Sequence, residues 1–196
     1  MADIRVKSIV CELARGPLQP SELQQRLCIS RSTLYVRLRT LSEVGLLVHG
    51  ERASFPYLVE YALTDPGRIV GARRILGDRR QSRELMSDRF QLGEDLLHIV
   101  RLVAPLSRVH DGATGVCTLQ ERISCGPGLE LSTIARAGRL EVWEGSGPLP
   151  QPDATISARP PAWDDMLLTG DSSGLTIDGD RILANTVSRA LHNALR

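Results

Sequence analysis

The chain has 196 residues, of which 42% are hydrophobic and 24% charged, a composition typical of a soluble globular protein with one large or two small domains. This excludes a disordered chain, and no window approaches the run of about 20 apolar residues that crosses a membrane. The formal net charge is only +1, but residues 1–90 carry +5 and residues 91–196 carry −4.

Two short helices separated by a three-residue turn are the first predicted elements, within residues 19–48. Ser21 is expected to cap the first helix and Ser30 the second. The second helix carries an apolar stripe at the spacing i, i+4 and i+7, formed by Leu34, Leu38 and Leu41. This layout is that of a helix-turn-helix.

The face of the second helix opposite the leucines is the candidate DNA-reading surface. At about 100° per residue, it consists of Ser32, Tyr35, Val36 and Arg39, with Arg31 and Arg37 on its flanks. Such a face can enter a major groove, although an ordinary amphipathic surface helix has the same pattern.

A strand, a loop and a returning strand are predicted directly after this helix. Gly45 is expected to end the helix and residues 46–48 to form a short apolar strand. The polar segment HGERAS is expected to form the loop, with Arg52 in it, and YLVEYAL the second strand. Together these elements predict a wing.

Three segments of this region resemble winged-helix transcriptional regulators of the HxlR type, which are related to the MarR and PadR groups. They are GPLQPSEL at 16–23, ISRSTLYVRLRTLSEVGLL at 29–47 and YALTDPGR at 61–68. The resemblance covers about residues 4–76 and implies binding of double-stranded DNA as a homodimer, because helices flanking the wing pair two chains. The chain departs from the pattern around Phe55 and Pro56.

Two further helices are predicted between the wing and residue 106. Thr64 and Asp65 are expected to cap the first, Gly77 to bend or break it, and Pro105 to end the second. Residues 77–105 are interpreted as a helical linker that carries dimer contacts, with simple packing of the linker on a domain as the alternative.

Short alternating strands dominate the chain after residue 106. VCTLQERI, LELSTIARA, RLEVWEG and DATISA predict four strands, with a turn at Ala137 and Gly138 between the second and the third. A helix with Asp164 and Asp165 in its first turn follows. GLTIDG predicts another strand, and a final helix is expected to cover the sheet. The predicted fold class is α+β: a winged helix-turn-helix (1–76), the linker (77–105), and a mainly antiparallel sheet covered by helices (106–196).

The C-terminal part resembles the sterol-carrier-protein-like domain, through PDATISARPPAWDDMLLTGD at 152–171 and IDGD at 177–180. This resemblance implies an apolar cavity between the sheet and the final helix that binds hydrophobic molecules. The candidate lining residues are Trp143, Trp163, Met166 and Leu191. The alternative is that these four side chains only fill the core.

A G-x-S-x-G pattern at 170–174, with Asp178 or Asp180 and then His192 downstream, follows hydrolase order. A nucleophile elbow has a strand before the serine and a helix after it, and the reverse is predicted here, so no enzyme activity is expected.

The scattered histidines and the four cysteines lack metal-ligand spacing, so no metal or other cofactor is expected. Cys11 and Cys28 are expected to be buried, reduced thiols. The charged N-terminus lacks the apolar core of a signal peptide, which predicts a cytoplasmic location.

These features predict a one-component transcriptional regulator that binds operator DNA and senses a hydrophobic small molecule. In this hypothesis Arg31, Arg37 and Arg52 contact phosphates, while the helix face opposite the leucine stripe contacts bases. The alternative is a non-catalytic protein that sequesters such a molecule and uses the winged helix as a scaffold or binding surface.

Overall fold

The computed structural model describes residues 4–52, 58–84, 91–110, 112–122, 128–143 and 151–196. The chain divides into two compact units, Met1–Arg74 (unit 1) and Ile75–Arg196 (unit 2). The helices are α1 (Ile4–Leu13), α2 (Pro20–Leu27), α3 (Arg31–Glu43), α4 (Asp65–Glu84), α5 (Gln91–Val103), α6 (Pro160–Thr169) and α7 (Arg181–Ala194). The strands are β1 (Leu47–Arg52), β2 (Leu58–Leu63), β3 (Gly115–Glu121), β4 (Leu129–Arg136), β5 (Arg139–Val142), β6 (Ala154–Ala158) and β7 (Thr176–Gly179). No helix within the described ranges is long and apolar enough to cross a membrane.

Unit 1 is built around leucines that three helices turn inward. Leu13, Leu23, Leu34 and Leu38 are completely buried, and Leu41 is nearly so. Burial of each such side chain contributes about 1.5–3 kcal/mol. The predicted leucine stripe is therefore confirmed, and it fixes which face of α3 points outward.

The start of α2 differs from the sequence prediction. Pro20 is the first helical residue, so the prediction that Ser21 caps the helix is wrong. The fixed φ of proline suits the first helical position, and the helix therefore starts two residues earlier than a cap at Ser21 implies. The backbone amide of Gln19 donates to the Glu22 carboxylate at 2.8 Å.

The hairpin β1–β2 is longer than predicted. Its register runs from Leu47↔Leu63 to Arg52↔Leu58, so His49 to Arg52 extend a strand where the sequence predicts a loop. Polar residues fit here because an antiparallel ladder is held by backbone hydrogen bonds and can face water. Residues 53–57, with Phe55 and Pro56, lie outside the described residues.

Helix α4 starts as predicted but continues further. Thr64 Oγ1 accepts a hydrogen bond from the Gly67 amide at 3.0 Å, which confirms Thr64 as the cap, whereas Asp65 is the first residue of the helix. The helix runs through Gly77 to Glu84, so the predicted break there is wrong. A helical glycine costs about 1 kcal/mol, and the buried neighbours Ile75 and Leu76 offset that cost.

Unit 2 contains a five-stranded sheet in the order β5-β4-β3-β6-β7. Only the β3–β6 pair is parallel, and the other three pairs are antiparallel. Ala137 and Gly138, both with positive φ, form the predicted two-residue turn between β4 and β5. Helix α7 packs against α6 and on β3, β6 and β7. The α+β class with a mainly antiparallel sheet is confirmed.

A charged cluster is buried inside unit 2, consisting of Arg79 on α4, Glu121 on β3 and Asp164 on α6. All three side chains are 0% exposed. Arg79 Nε donates to Asp164 Oδ1 at 2.7 Å, and its Nη2 donates to Glu121 Oε1. The expectation that Asp164 and Asp165 lie in the first turn of their helix is wrong, because α6 begins at Pro160; Asp164 belongs to the buried cluster and Asp165 is exposed.

Candidate nucleic-acid interface

A short turn joins α2 to α3 and sets where α3 begins. Cys28 takes a left-handed conformation, φ 50°, at the end of α2. Ser30 is extended, and its Oγ accepts a hydrogen bond from the Thr33 amide at 3.3 Å. The predicted helix, three-residue turn and helix, with Ser30 as the cap, are confirmed.

Gly45 ends α3 with a backbone arrangement that other residues adopt only with strain. Its φ is 73°, its amide donates to Ser42 O at 3.0 Å, and the Leu46 amide donates to Leu41 O at 2.9 Å. These two bonds define a Schellman motif, which satisfies carbonyls left free at a helix end. The chain is thereby turned directly from α3 into β1.

The outward face of α3 is the surface that the sequence singled out. Tyr35 is 41% exposed and Val36 59%, and Ser32 and Arg39 are exposed beside them. On the flanks, Arg31 is exposed and Arg37 is half-buried. The structure therefore brings together all six predicted residues of α3 on or beside one exposed face.

Two contacts orient the basic side chains on this face. Arg39 Nε lies 2.7 Å from Glu43 Oε1, one turn further along α3. The hydrogen bond and the negative charge of Glu43 raise the pKa of Arg39. The guanidinium of Arg31 lies over the Tyr35 ring, 5.5 Å from its centroid. A cationic group therefore stands at each end of the face.

A cleft of about 410 Å³ lies beside the exposed face of α3. Its wall combines the start of α2 with α3 and the wing; it is lined by Gln19, Pro20, Ser21, Gln24, Arg31, Tyr35 and Val59. The bridge between Leu18 and Tyr61 ties the segment before α2 to β2. A helix N-terminus and an arginine both favour a negatively charged group.

Sequence reasoning did not identify the α2 residues or Val59 as part of this surface. Their signal in the sequence is weak, because Ser21 was interpreted through helix capping alone. Arg52 lies at the end of β1, paired with Leu58, but its side chain is outside the described part of the chain. Its contact with DNA stays a prediction.

The four residues proposed to line a ligand cavity lie in or near the core of unit 2. Trp163, Met166 and Leu191 are at most 1% exposed, and Trp143 is half-buried. Trp163 Nε1 donates to Gln120 O at 3.0 Å, whereas Trp143 Nε1 is buried without a hydrogen-bond partner among the described residues. Their role in ligand binding stays a prediction.

The residues of the hydrolase-like pattern have structural roles. Helix α6 precedes the G-x-S-x-G segment and β7 follows it, as the sequence predicts. The Asp180 carboxylate accepts from the amides of Ile182 at 2.8 Å and Leu183 at 3.0 Å, capping α7. His192 Nδ1 lies 3.0 Å from Leu167 O. This arrangement does not form a nucleophile elbow.

The cysteines differ in exposure. Cys11 is half-buried, and Cys28 is exposed because it follows the last turn of α2, so its expected burial is wrong. Burial raises the pKa of the Cys117 thiol to about 12. Within the described ranges, no group of three or more His, Cys, Asp or Glu side chains is placed to hold a metal ion.

Comparison with solved structures found similar chains over the C-terminal part, among them the following two. One is the solution structure of sterol carrier protein domain 2 of Helicoverpa armigera, at 17% identity and a TM-score of 0.27, covering 42% of this chain and 70% of that one. The other is a UbiJ-SCP2 ubiquinone synthesis protein, at 17% identity and a TM-score of 0.28, covering 39% and 70%. No curated protein sequence matches this chain.

Comparison with family models concerns the N-terminal part. The model described as HxlR-like helix-turn-helix matches residues 6–76, which include α2, α3, the wing and the start of α4. The match covers the whole of the exposed α3 face described above and the cleft beside it. Residues 6–76 are therefore similar to HxlR-like helix-turn-helix domains.

Proposed function

We propose that this protein is a transcriptional regulator that binds operator DNA through α3. The observation that carries the proposal is the exposed basic face of α3, held outward by buried leucines, in a segment that matches the HxlR-like family. Arg31, Arg37 and Arg52 contact phosphates in this proposal. The base edges are read by Ser32, Tyr35, Val36 and Arg39.

The distribution of charge supports this assignment. Residues 1–74 contain 11 basic and 7 acidic residues, whereas residues 75–196 contain 13 basic and 16 acidic ones. Affinity for DNA comes largely from neutralising phosphates and releasing counterions. Unit 1, which presents the exposed face of α3, is thus the unit with a net positive charge.

In this proposal, unit 2 is the sensor of a one-component, cytoplasmic regulator. A hydrophobic effector would bind between the sheet and α7, near Trp143, Trp163, Met166 and Leu191. The effector would change DNA binding only if it binds one arrangement of the protein more tightly than another. Two chains would form a homodimer so that two copies of α3 reach successive half-sites.

The decisive experiment is fluorescence anisotropy with DNA from the region upstream of the protein's own gene. We expect specific binding that weakens as salt concentration rises, because counterions are released on binding. Arg39→Ala should weaken specific binding about tenfold or more, since a good arginine–base contact contributes about 1–3 kcal/mol.

Arg15→Ala is the matched control. Arg15 is an exposed arginine of unit 1 that follows α1 and lies outside the α3 face, and its replacement removes the same charge. Equal losses in both variants would show a general charge effect rather than recognition by α3. Absence of salt-dependent DNA binding by the unmodified protein would contradict the proposal and favour the sequestering protein.

A further inference from the structure

Unit 2 contains an open cleft of about 620 Å³ that is separate from the buried aromatic residues considered above. It lies where β3 and β6 end and α6 begins. Its polar lining residues are Arg122, Ser157, Arg159 and Thr176, and Ala158 and Ala162 contribute apolar surface. Small-molecule sites commonly have volumes of about 300–1,000 Å³.

The pairing of β3 with β6 explains why two arginines meet at this cleft. The two strands are parallel and end on the register pair Glu121↔Ala158, and the Arg122 amide extends the ladder to Ala158 O at 2.8 Å. Arg122 directly follows the last residue of β3, and Arg159 directly follows the last residue of β6. Because extended residues alternate between faces, Arg159 also shares a face with Ser157.

The charge of the two arginines is not compensated within the cleft. Both side chains are exposed, and neither has an acidic partner among the residues that the structure describes. None of the described residues that line the cleft is an aspartate or a glutamate. Like charges on neighbouring strands repel each other, so an anion between them is favoured.

Hydroxyl groups lie beside the arginines. Ser157 pairs with Thr176 of β7, so their side chains share one face of the sheet. Ser157 Oγ is buried and, in the described part of the chain, has no hydrogen-bond partner. An unsatisfied buried hydroxyl is costly, and an acceptor brought by a ligand would remove that cost.

We propose that this cleft binds a small organic anion. Arg122 and Arg159 hold its carboxylate or phosphate, because the guanidinium fork matches either group with paired hydrogen bonds. The apolar body of the ligand lies against Ala158 and Ala162. The site exists whether or not unit 1 binds DNA, and its test uses no DNA, so the two proposals fail separately.

The test is isothermal titration calorimetry of the full chain with three probes: octanoate, octyl phosphate and uncharged 1-octanol. We expect saturable binding of at least one anion and much weaker binding of 1-octanol. Arg122→Gln with Arg159→Gln should weaken binding of the anion about tenfold or more, since hydrogen bonds between charged groups are strong. Arg136→Gln, an exposed arginine on β4 outside the cleft, should leave the affinity unchanged.

A second variant separates the site from a general charge effect. Ser157→Ala should weaken anion binding without lowering the melting temperature, because the hydroxyl has no partner among the described residues to lose. Three results would overturn the proposal: no saturable binding of either anion, equal affinity for 1-octanol, or unchanged affinity in the double arginine variant with its fold intact by circular dichroism.

Discussion

At the scale of single residues, Gly67 shows how closely the wing and α4 approach within unit 1. A Cβ added there would overlap the carbonyl of Leu46 and lie 3.2 Å from Thr64 Oγ1. Thr64 Oγ1 itself donates to Gly45 O at 2.8 Å. The segment that links α3 to β1 and the first turn of α4 therefore meet at a point where only glycine fits.

Gly67→Ala is accordingly expected to destabilise unit 1. Forcing extra atoms into a packed site costs about 1–3 kcal/mol, and here the opposing group is backbone, which cannot turn aside. Gly77→Ala, the same substitution in the same helix, meets nothing within 4 Å. It should stabilise the protein by about 0.5–1 kcal/mol through better helix propensity.

Urea denaturation followed by circular dichroism measures both effects. The expected result is a lower midpoint for Gly67→Ala and a higher one for Gly77→Ala. A shift of both midpoints in the same direction would mean that helix propensity, rather than the contact with Leu46, governs position 67.

At the scale of elements, the Arg79 cluster joins α4, β3 and α6 inside unit 2. Burial raises the pKa of Glu121, and the charges of Asp164 and Asp95 act in the same direction, against the lowering effect of Arg79. Arg79 is the cation that hydrogen-bonds both Glu121 and Asp164 and favours their charged forms.

Arg79→Leu is expected to destabilise unit 2 severely. Removing one partner of a buried ion pair costs about 3–5 kcal/mol, because the remaining charges are buried without compensation. Arg80→Leu is the control, since Arg80 is the exposed neighbour on the same helix. Thermal unfolding should show a large fall in melting temperature for Arg79→Leu and little change for Arg80→Leu; equal falls would contradict the role of the cluster.

The same elements show what could be predicted from the sequence. The leucine stripe of α3, the cap at Ser30 and the turn at Gly138 depend on residues a few positions apart, and all were predicted correctly. Asp164 was misinterpreted because its partner, Arg79, lies 85 residues away in the sequence. The cleft in unit 2 was not predicted for the same reason, since it requires the parallel pairing of β3 with β6, which are far apart in the sequence.

Polar strand residues were the other source of error. The HGER segment of β1 has no apolar alternation, so its composition indicates a loop, but backbone pairing with β2 extends the strand. The predicted break at Gly77 was wrong for a different reason. The general rule that glycine ends helices takes no account of the buried residues on both sides of it.

At the scale of the whole molecule, the proposed function requires more than one reading helix. A single α3 presents only a few side chains that can reach base edges, and a genome offers many competing sites. A symmetric dimer doubles the contacts and sets a fixed spacing between half-sites. The net positive charge of unit 1 favours binding to DNA of any sequence but does not select a position along it.

We therefore predict that the operator contains two half-sites about one helical turn, 10–10.5 base pairs, apart. Hydroxyl-radical footprinting should show two protected patches on one face of the DNA, and sedimentation should give twice the mass of one chain. Inserting about 5 base pairs between the half-sites turns one to the opposite side of the duplex and should remove the gain from linked binding. A single protected patch with unchanged affinity after insertion, from a chain that sediments as a monomer, would show that one α3 suffices.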